Sequence, residues 1–453
     1  MSGEAPRSFP KSVRAAAAAP RVLPRAFPRR LPLLAHRVTS LAHHPAPEGD
    51  PGPMATSAPA LPHVLFTAVR TADGSVRDLL VSDGRIAGYD PAEVPAGCRT
   101  VDAAGALVLP SPVDAHIHPD KTTWGGPWLS REPAGTLRDL IDGDVRARAG
   151  FTSPVEERAG ALMDRAIARG TRAMRAHVDV APAHGLLGVH GVRAAADARK
   201  HLIDVQIVAF PQLGLLSEPG TAELMEQALS EGADVVGGLD PVGIDGDMEG
   251  QLDFVFALAG RKGVPLDIHL HDGGPAGLRQ TAEIARRTVA AGMRGRVTIG
   301  HAFAVAELEG GERDAMAARL AEAGVALVTC ALGDDPVLDP ARLAPHGVRI
   351  AVGSDGVRDA WSPFGDGDML ARAHLLAYRT DARTDAELAA CYEAVAQGGA
   401  ALLGLPASRL EAGDPADFVL VAAGSLPEAV VDRPVPSLVV RAGRVVARGG
   451  ELV

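Results

Sequence analysis

Cysteine is scarce: Cys98, Cys330 and Cys391 are the only three in 453 residues. They form no Cys-x-x-Cys pair and no disulfide framework, which fits a reducing compartment, so a cytoplasmic location is expected. Each reads as a small buried hydrophobe. Aromatic residues make up 4 % of the chain, so the core must be aliphatic. No run of about 18 apolar residues could span a bilayer as a helix. No Lys/Arg cluster interrupts the chain beyond its first 60 residues, and the net charge is -11. That argues against nucleic acid and membrane as partners and leaves a small-molecule substrate.

What is present falls into four segments. Residues 1–60 are rich in Pro, Ala and Arg, and Glu4 is the only acid before Glu48. Such a stretch cannot bury enough surface to offset its ordering entropy, and disorder is expected. Its composition also resembles a transit peptide, but the stronger reading takes Met54 as the true start. Residues 61–111 read as short strands with Asp-Gly turns at Asp73-Gly74 and Asp83-Gly84. Residues 406–453 match them in style, with Gly443 in a turn. Together the two ends predict one small β-sandwich domain. Residues 112–405 alternate between apolar, β-branched runs and helix-like Ala/Leu/Glu/Arg stretches. The eight runs are ALVLPSPVDAHIH, RAMRAHVDV, DVQIVAFPQ, ADVVGGLDP, VPLDIHLHD, RVTIGHAF, VALVTCA and VRIAVGSD. Continuous apolar runs suit strands buried on both faces of a parallel sheet. The pattern predicts an α/β fold, a (β/α)8 TIM-type barrel. A doubly wound open sheet is the runner-up.

In such a barrel the chemistry collects at the C-terminal ends of the strands. Those ends carry His116 and His118, His177 and Asp179, Gln212, Asp240, His269 with His271 and Asp272, His301, and Asp355. His116 and His118 stand at i and i+2 of a strand and so share a face. With His269, His301 and Asp355 they offer the imidazole and carboxylate donors that a borderline cation such as Zn or Fe takes. His271 reads as a neighbour of the site. His177 and Asp179 read as support or as packing. The remaining histidines read as tail, loop or surface.

VDAHIHPDKT, AHVDV, DVQIVAFPQ, LDIHLHD, RVTIGHAF and GSDGVRDAWSPFGDGDML occur in the order and spacing of the cytosine deaminase branch of the amidohydrolase superfamily, which the chain resembles from about Pro62 onward. The resemblance implies one divalent metal ion on His116, His118, His269 and Asp355. It implies that the ion lowers the pKa of its water to about 7. Asp355 then accepts the water proton and His301 orients the nucleophile. Gln212 is implied to read the amide face of a pyrimidine-like ring, and Trp361 to line the pocket. A homo-oligomer is also expected. Two positions depart from the family. Asp272 stands where the family has a proton-shuttling glutamate, and it is expected to fill that role as general acid/base. Gly356 stands where the family has a second aspartate near the substrate, and it is expected to leave room there. Asp240 adds a carboxylate at a neighbouring strand end and is expected to touch substrate. The function read from this is hydrolytic deamination of a cytosine-like or related N-heterocycle. The alternatives are hydrolysis of a cyclic or linear amide at the same site and, last, a non-catalytic barrel scaffold.

Overall fold

The computed structural model describes residues 63–131 and 133–453. The expectations for residues 1–60 and for Met54 lie outside these residues.

The described residues begin with five strands of a small domain: β1 (Val64–Arg70), β2 (Val76–Ser82), β3 (Arg85–Tyr89), β4 (Arg99–Asp102) and β5 (Leu107–Pro110). Asp83 and Gly84 join β2 to β3 with φ of 51° and 73°. Two positive φ values are what a tight hairpin following the strand twist requires, hence Asp-Gly.

Eight parallel strands then form the barrel: β6 (Val113–Ile117), β7 (Ala173–Asp179), β8 (Asp204–Phe210), β9 (Val235–Leu239), β10 (Leu266–His269), β11 (Val297–Gly300), β12 (Val325–Thr329) and β13 (Arg349–Val352). They pair in sequence order. A parallel bridge between Ile117 and Asp355 brings the last strand back to the first. All residues of β6, β7, β9, β10, β11 and β12 are buried, as expected of strands covered on both faces, and the buried set includes the polar Asp114, Arg175, His177, Asp179 and Asp267. Six of the connections carry a helix of ten residues or more, for example Val155–Ala168 and Gly274–Ala290. The link from β12 to β13 holds only Pro340–Leu343 and a single 3-10 turn.

The chain finally returns to the small domain through β14 (Phe418–Val421), β15 (Leu438–Arg441), β16 (Arg444–Arg448) and β17 (Glu451–Leu452). The two ends make one mixed sheet, ordered β17-β16-β15-β14-β5-β1-β2-β3, with β4 on β1. The sheet folds over its own core. Ala416 N–H donates to Gly84 O at 2.9 Å, and Phe66 meets Phe418 edge-to-face at 5.1 Å.

One sequence reading needs division. ALVLPSPVDAHIH, read as a single barrel strand, is two: β5 ends at Pro110 in the small domain, and β6 starts at Val113 in the barrel. Pro110 and Pro112 lack the N–H that a central strand must donate, so the ladder breaks between them.

Candidate active site and metal centre

Three site residues stand just past the ends of barrel strands and adopt left-handed backbone: Asp240 directly after β9 at φ 33°, His301 directly after β11 at 63°, and Asp355 three residues beyond β13 at 58°. Such conformations cost a non-glycine residue on the order of 1 kcal/mol or more each and persist only where the surroundings impose them. Here one imposition is shared. The N–H of Asp240 donates to His269 O at 3.0 Å, that of His301 to Val328 O at 2.8 Å, and that of Asp355 to His116 O at 2.8 Å. Each N–H is thus tied to the neighbouring strand at the point where the chain turns out of the sheet.

His116, His118, His177, His269 and His301 converge inside this ring and are all buried. His118 Nε2 lies 3.2 Å from Asp355 Oδ1, and His116 Nε2 lies 3.8 Å from it. His118 and His269 approach Nε2 to Nε2 at 3.4 Å. His177 stacks on His116 with centroids 3.9 Å apart, and Phe210 stacks on His269 at 4.0 Å. Donor atoms of His116, His177 and His269 lie within 4.8 Å of one another, as do those of His116, His301, Cys330 and Asp355. The four expected ligands are therefore linked pairwise. His177 and Cys330 join them, and the sequence had singled out neither as a ligand.

Burial, followed by the neighbouring imidazoles, holds the pKa values of His116, His177 and His269 well below the usual histidine range. Burial pushes His301 down to about 3. Burial alone would raise the Asp355 carboxyl, but the hydrogen bond from His118 and the imidazoles around it outweigh that and hold it well below the carboxylate range. Neutral imidazoles beside an ionised carboxylate are the ligating forms. Both nitrogens of His116 and of His177, Nδ1 of His118 and of His269, and Nε2 of His301 are buried without a protein partner. Buried polar atoms are rarely left so. This donor set fits a divalent ion.

Asp240 and Asp272 are differently engaged from what the sequence suggested. Asp240 Oδ2 takes His271 Nδ1 at 2.6 Å, and Oδ1 takes the backbone N–H of His271 at 2.6 Å and of Asp272 at 3.2 Å. Its acceptors are spent on positioning His271, whose ring lies 4.2 Å from that of His301. Burial opposes a charge on His271, but Asp240 prevails and raises its pKa. Asp272 Oδ2 accepts from Gly243 N–H at 2.9 Å and from Gln280 Nε2 at 2.8 Å. That carboxylate ties the loop after β9 to the helix Gly274–Ala290.

Beside the imidazoles lies a cavity of about 320 Å³. Its lining includes His118, Lys121, Asp355, Asp359 and Trp361, with Leu140, Leu332, Pro363 and Phe364 at apolar positions. Lys121 is buried, 3.0 Å from Asp179 Oδ1 and hydrogen-bonded to Gln212 Oε1. Its ammonium sits 5.3 Å from the Trp361 ring centroid, within cation–π range. Arg148 balances Asp179 at 2.5 Å, Asp144 at 2.8 Å and Asp120 at 3.5 Å. The expectation that Gly356 leaves room is corrected: a Cβ there would overlap the Asp359 carboxylate, which already fills the space. Lys121 stands in the quoted segment VDAHIHPDKT, yet its role shows only in three dimensions.

A family model described as "Amidohydrolase family" matches residues 130–447. The chain belongs to the amidohydrolase family. It is a hydrolase of carbon–nitrogen bonds other than peptide bonds, with cytosine deaminase-like relatives. The crystal structure of N-isopropylammelide isopropylaminohydrolase from Burkholderia multivorans is 43 % identical, covering 87 % of this chain and 100 % of that one with a TM-score of 0.83. The 5-methylcytosine deaminase from Klebsiella pneumoniae, liganded with 5-fluorocytosine, is 27 % identical over 85 % of this chain and 97 % of that one, with a TM-score of 0.74. The uncharacterised protein YahJ of Escherichia coli (strain K12) is 38 % identical over 284 residues; the match spans 61 % of this chain and 60 % of that protein's length.

Proposed function

We propose that this hydrolase removes an amine, either ammonia or a small alkylamine, from a flat, oxo-substituted N-heterocycle. The observation that carries the reading is the juxtaposition of the buried imidazole–carboxylate cluster with a cavity lined by Lys121 and Trp361. One divalent ion, Zn or Fe, is held by His116, His118, His269 and Asp355. When bound, such an ion supplies Lewis acidity and a nucleophile at neutral pH.

The chain's own residues do the rest. Gln212 lends its carbonyl oxygen to Lys121, so its amide N–H groups and the remaining ammonium hydrogen face acceptors on the ring. Trp361 supports the flat face. Asp355 takes the proton of the attacking water, and His301 orients that water. His271 takes the proton-moving place that the family resemblance gave to Asp272. Its Nδ1 is held by Asp240, which leaves Nε2 as the nitrogen that serves the departing amine. Leu140, Leu332, Pro363 and Phe364 form an apolar mouth suited to an alkyl group on that amine. The Burkholderia relative, which acts on N-isopropylammelide by its name, supports an alkylamine. The Klebsiella deaminase supports ammonia.

A screen for amine release separates the readings. The metal-loaded protein is offered cytosine, 5-methylcytosine, N-isopropylammelide, pterin and a cyclic amide, with ammonia and isopropylamine measured separately. Release of either amine from a heterocycle is expected. Ring opening of the cyclic amide with no amine released from any heterocycle contradicts the proposal.

A further inference from the structure

We propose that Asp359 is the specificity-determining carboxylate of this pocket, standing in for the one absent at Gly356, and that it selects rings with an N–H beside a carbonyl. The inference rests on the reading of the site given above and names what the pocket recognises.

Four observations meet at this residue. A Cβ on residue 356 would overlap Asp359 Oδ2, so the carboxylate occupies the space directly beside the chain neighbour of Asp355. Its Oδ1 accepts from the N–H of Trp361 at 2.9 Å and of Ser362 at 2.7 Å, which leaves Oδ2 as the acceptor for a ligand. Asp359 is 2 % exposed and lines the same cavity as Lys121 and Trp361. A carboxylate so little exposed calls for a donor at its second oxygen. Finally, the segment is fixed from outside. Arg131 donates to Asp359 O at 2.8 Å and to Ser362 O at 3.1 Å, and Thr122 Oγ1 donates to Val357 O at 2.7 Å. A carboxylate so held is preorganised for recognition.

The complementary edge follows from the neighbours. Lys121 lines the cavity and presents a donor, so it reads oxygen. Asp359 presents an acceptor, so it reads N–H. A ring carrying an N–H next to a carbonyl satisfies both, whereas a ring alkylated at that nitrogen leaves Oδ2 unpaired and crowded. Loss of a hydrogen bond to a charged group is worth roughly tenfold to a hundredfold in binding.

The test uses the metal-loaded protein and a probe that needs no turnover. Binding of 1,3,5-triazine-2,4,6-trione and of its N-trimethylated form is measured by calorimetry for wild type, D359N, D359A and G356D/D359A. Wild type should bind the N–H ring roughly tenfold to a hundredfold tighter than the methylated one. D359A should lose most of that preference, and D359N should lose it while keeping the Oδ1 bonds that order the loop. G356D/D359A should regain part of it, because a carboxylate returns to the same space; a merely structural role at 359 would not be rescued from 356. Metal content should be unchanged throughout. Equal preference in wild type and D359N, or no binding of the N–H ring by wild type, overturns the proposal. A wild type that binds the ring with this preference yet releases amine from no heterocycle overturns the proposed reaction and leaves Asp359 as the reader of the ring.

Discussion

The backbone N–H of Asp355 donates to the carbonyl of His116 at 2.8 Å, and together with the bond from Ser354 N–H to Asp114 Oδ1 at 2.9 Å it joins the end of the last barrel strand to the first. Gly353 makes it attainable. A Cβ at residue 353 would overlap the Cβ and the carbonyl of His116, which are backbone-anchored atoms that cannot swing aside. The same contact that closes the barrel therefore sets the spacing between two proposed metal ligands.

G353A should accordingly damage both stability and metal binding. Overpacking of this kind costs about 1–3 kcal/mol, and the displaced His116 should weaken metal affinity at least tenfold. Denaturant titration and a competition assay with a chelator check the two effects. A variant with wild-type metal affinity would show that β13 does not set the position of His116.

The Asp240–His271 pair yields a second prediction. D240N keeps the size of the side chain but removes the charge that holds His271. It should lower kcat on the order of a hundredfold, the usual contribution of a positioned proton-transfer group, with metal content intact. D272N should change kcat by less than about fivefold, because the Asp272 carboxylate is occupied by Gly243 and Gln280 and a loop contact of this kind touches no reacting atom. The reverse ranking in steady-state kinetics would restore Asp272 to the proton-shuttling role.

At the other end of the barrel, Arg175 predicts a purely structural effect. It is 1 % exposed and donates to Asp267 at 2.8 Å, Gln206 at 2.9 Å, Leu402 O at 3.0 Å and Thr298 at 3.2 Å. R175L leaves Asp267 buried without its partner. Breaking a buried pair from one side costs about 3–5 kcal/mol. R175L/D267L should recover most of that loss, since apolar replacement of both members is often neutral. Urea unfolding of the two variants reads the difference. R175L within about 1 kcal/mol of wild type would mean that the pair contributes little.

Much of the barrel was legible in the chain because burial on both faces leaves an unmistakable mark: runs such as VALVTC with no polar alternation. The strand-end histidines were legible for the same reason, as polar residues at the points where apolar runs stop. What escaped depends on juxtaposition across strands. Asp240 meets His271 because β9 and β10 pair with Leu239 opposite His269, which places the following residues together at the rim. That register is a property of the sheet and not of either segment. Lys121 reaches Gln212 only because the chain after His118 turns inward. Gly356 read as a gap until the loop folded Asp359 over it. The Pro110–Pro112 break was visible in the residues themselves, and the long apolar run around it obscured its meaning.

Elemental analysis of the purified protein tests the central claim most directly. Wild type should carry one divalent ion per chain, H269A and D355A only a small fraction of that, and H184A the full amount. Full metal content in H269A, or two ions per wild-type chain, would contradict a single ion held by His116, His118, His269 and Asp355.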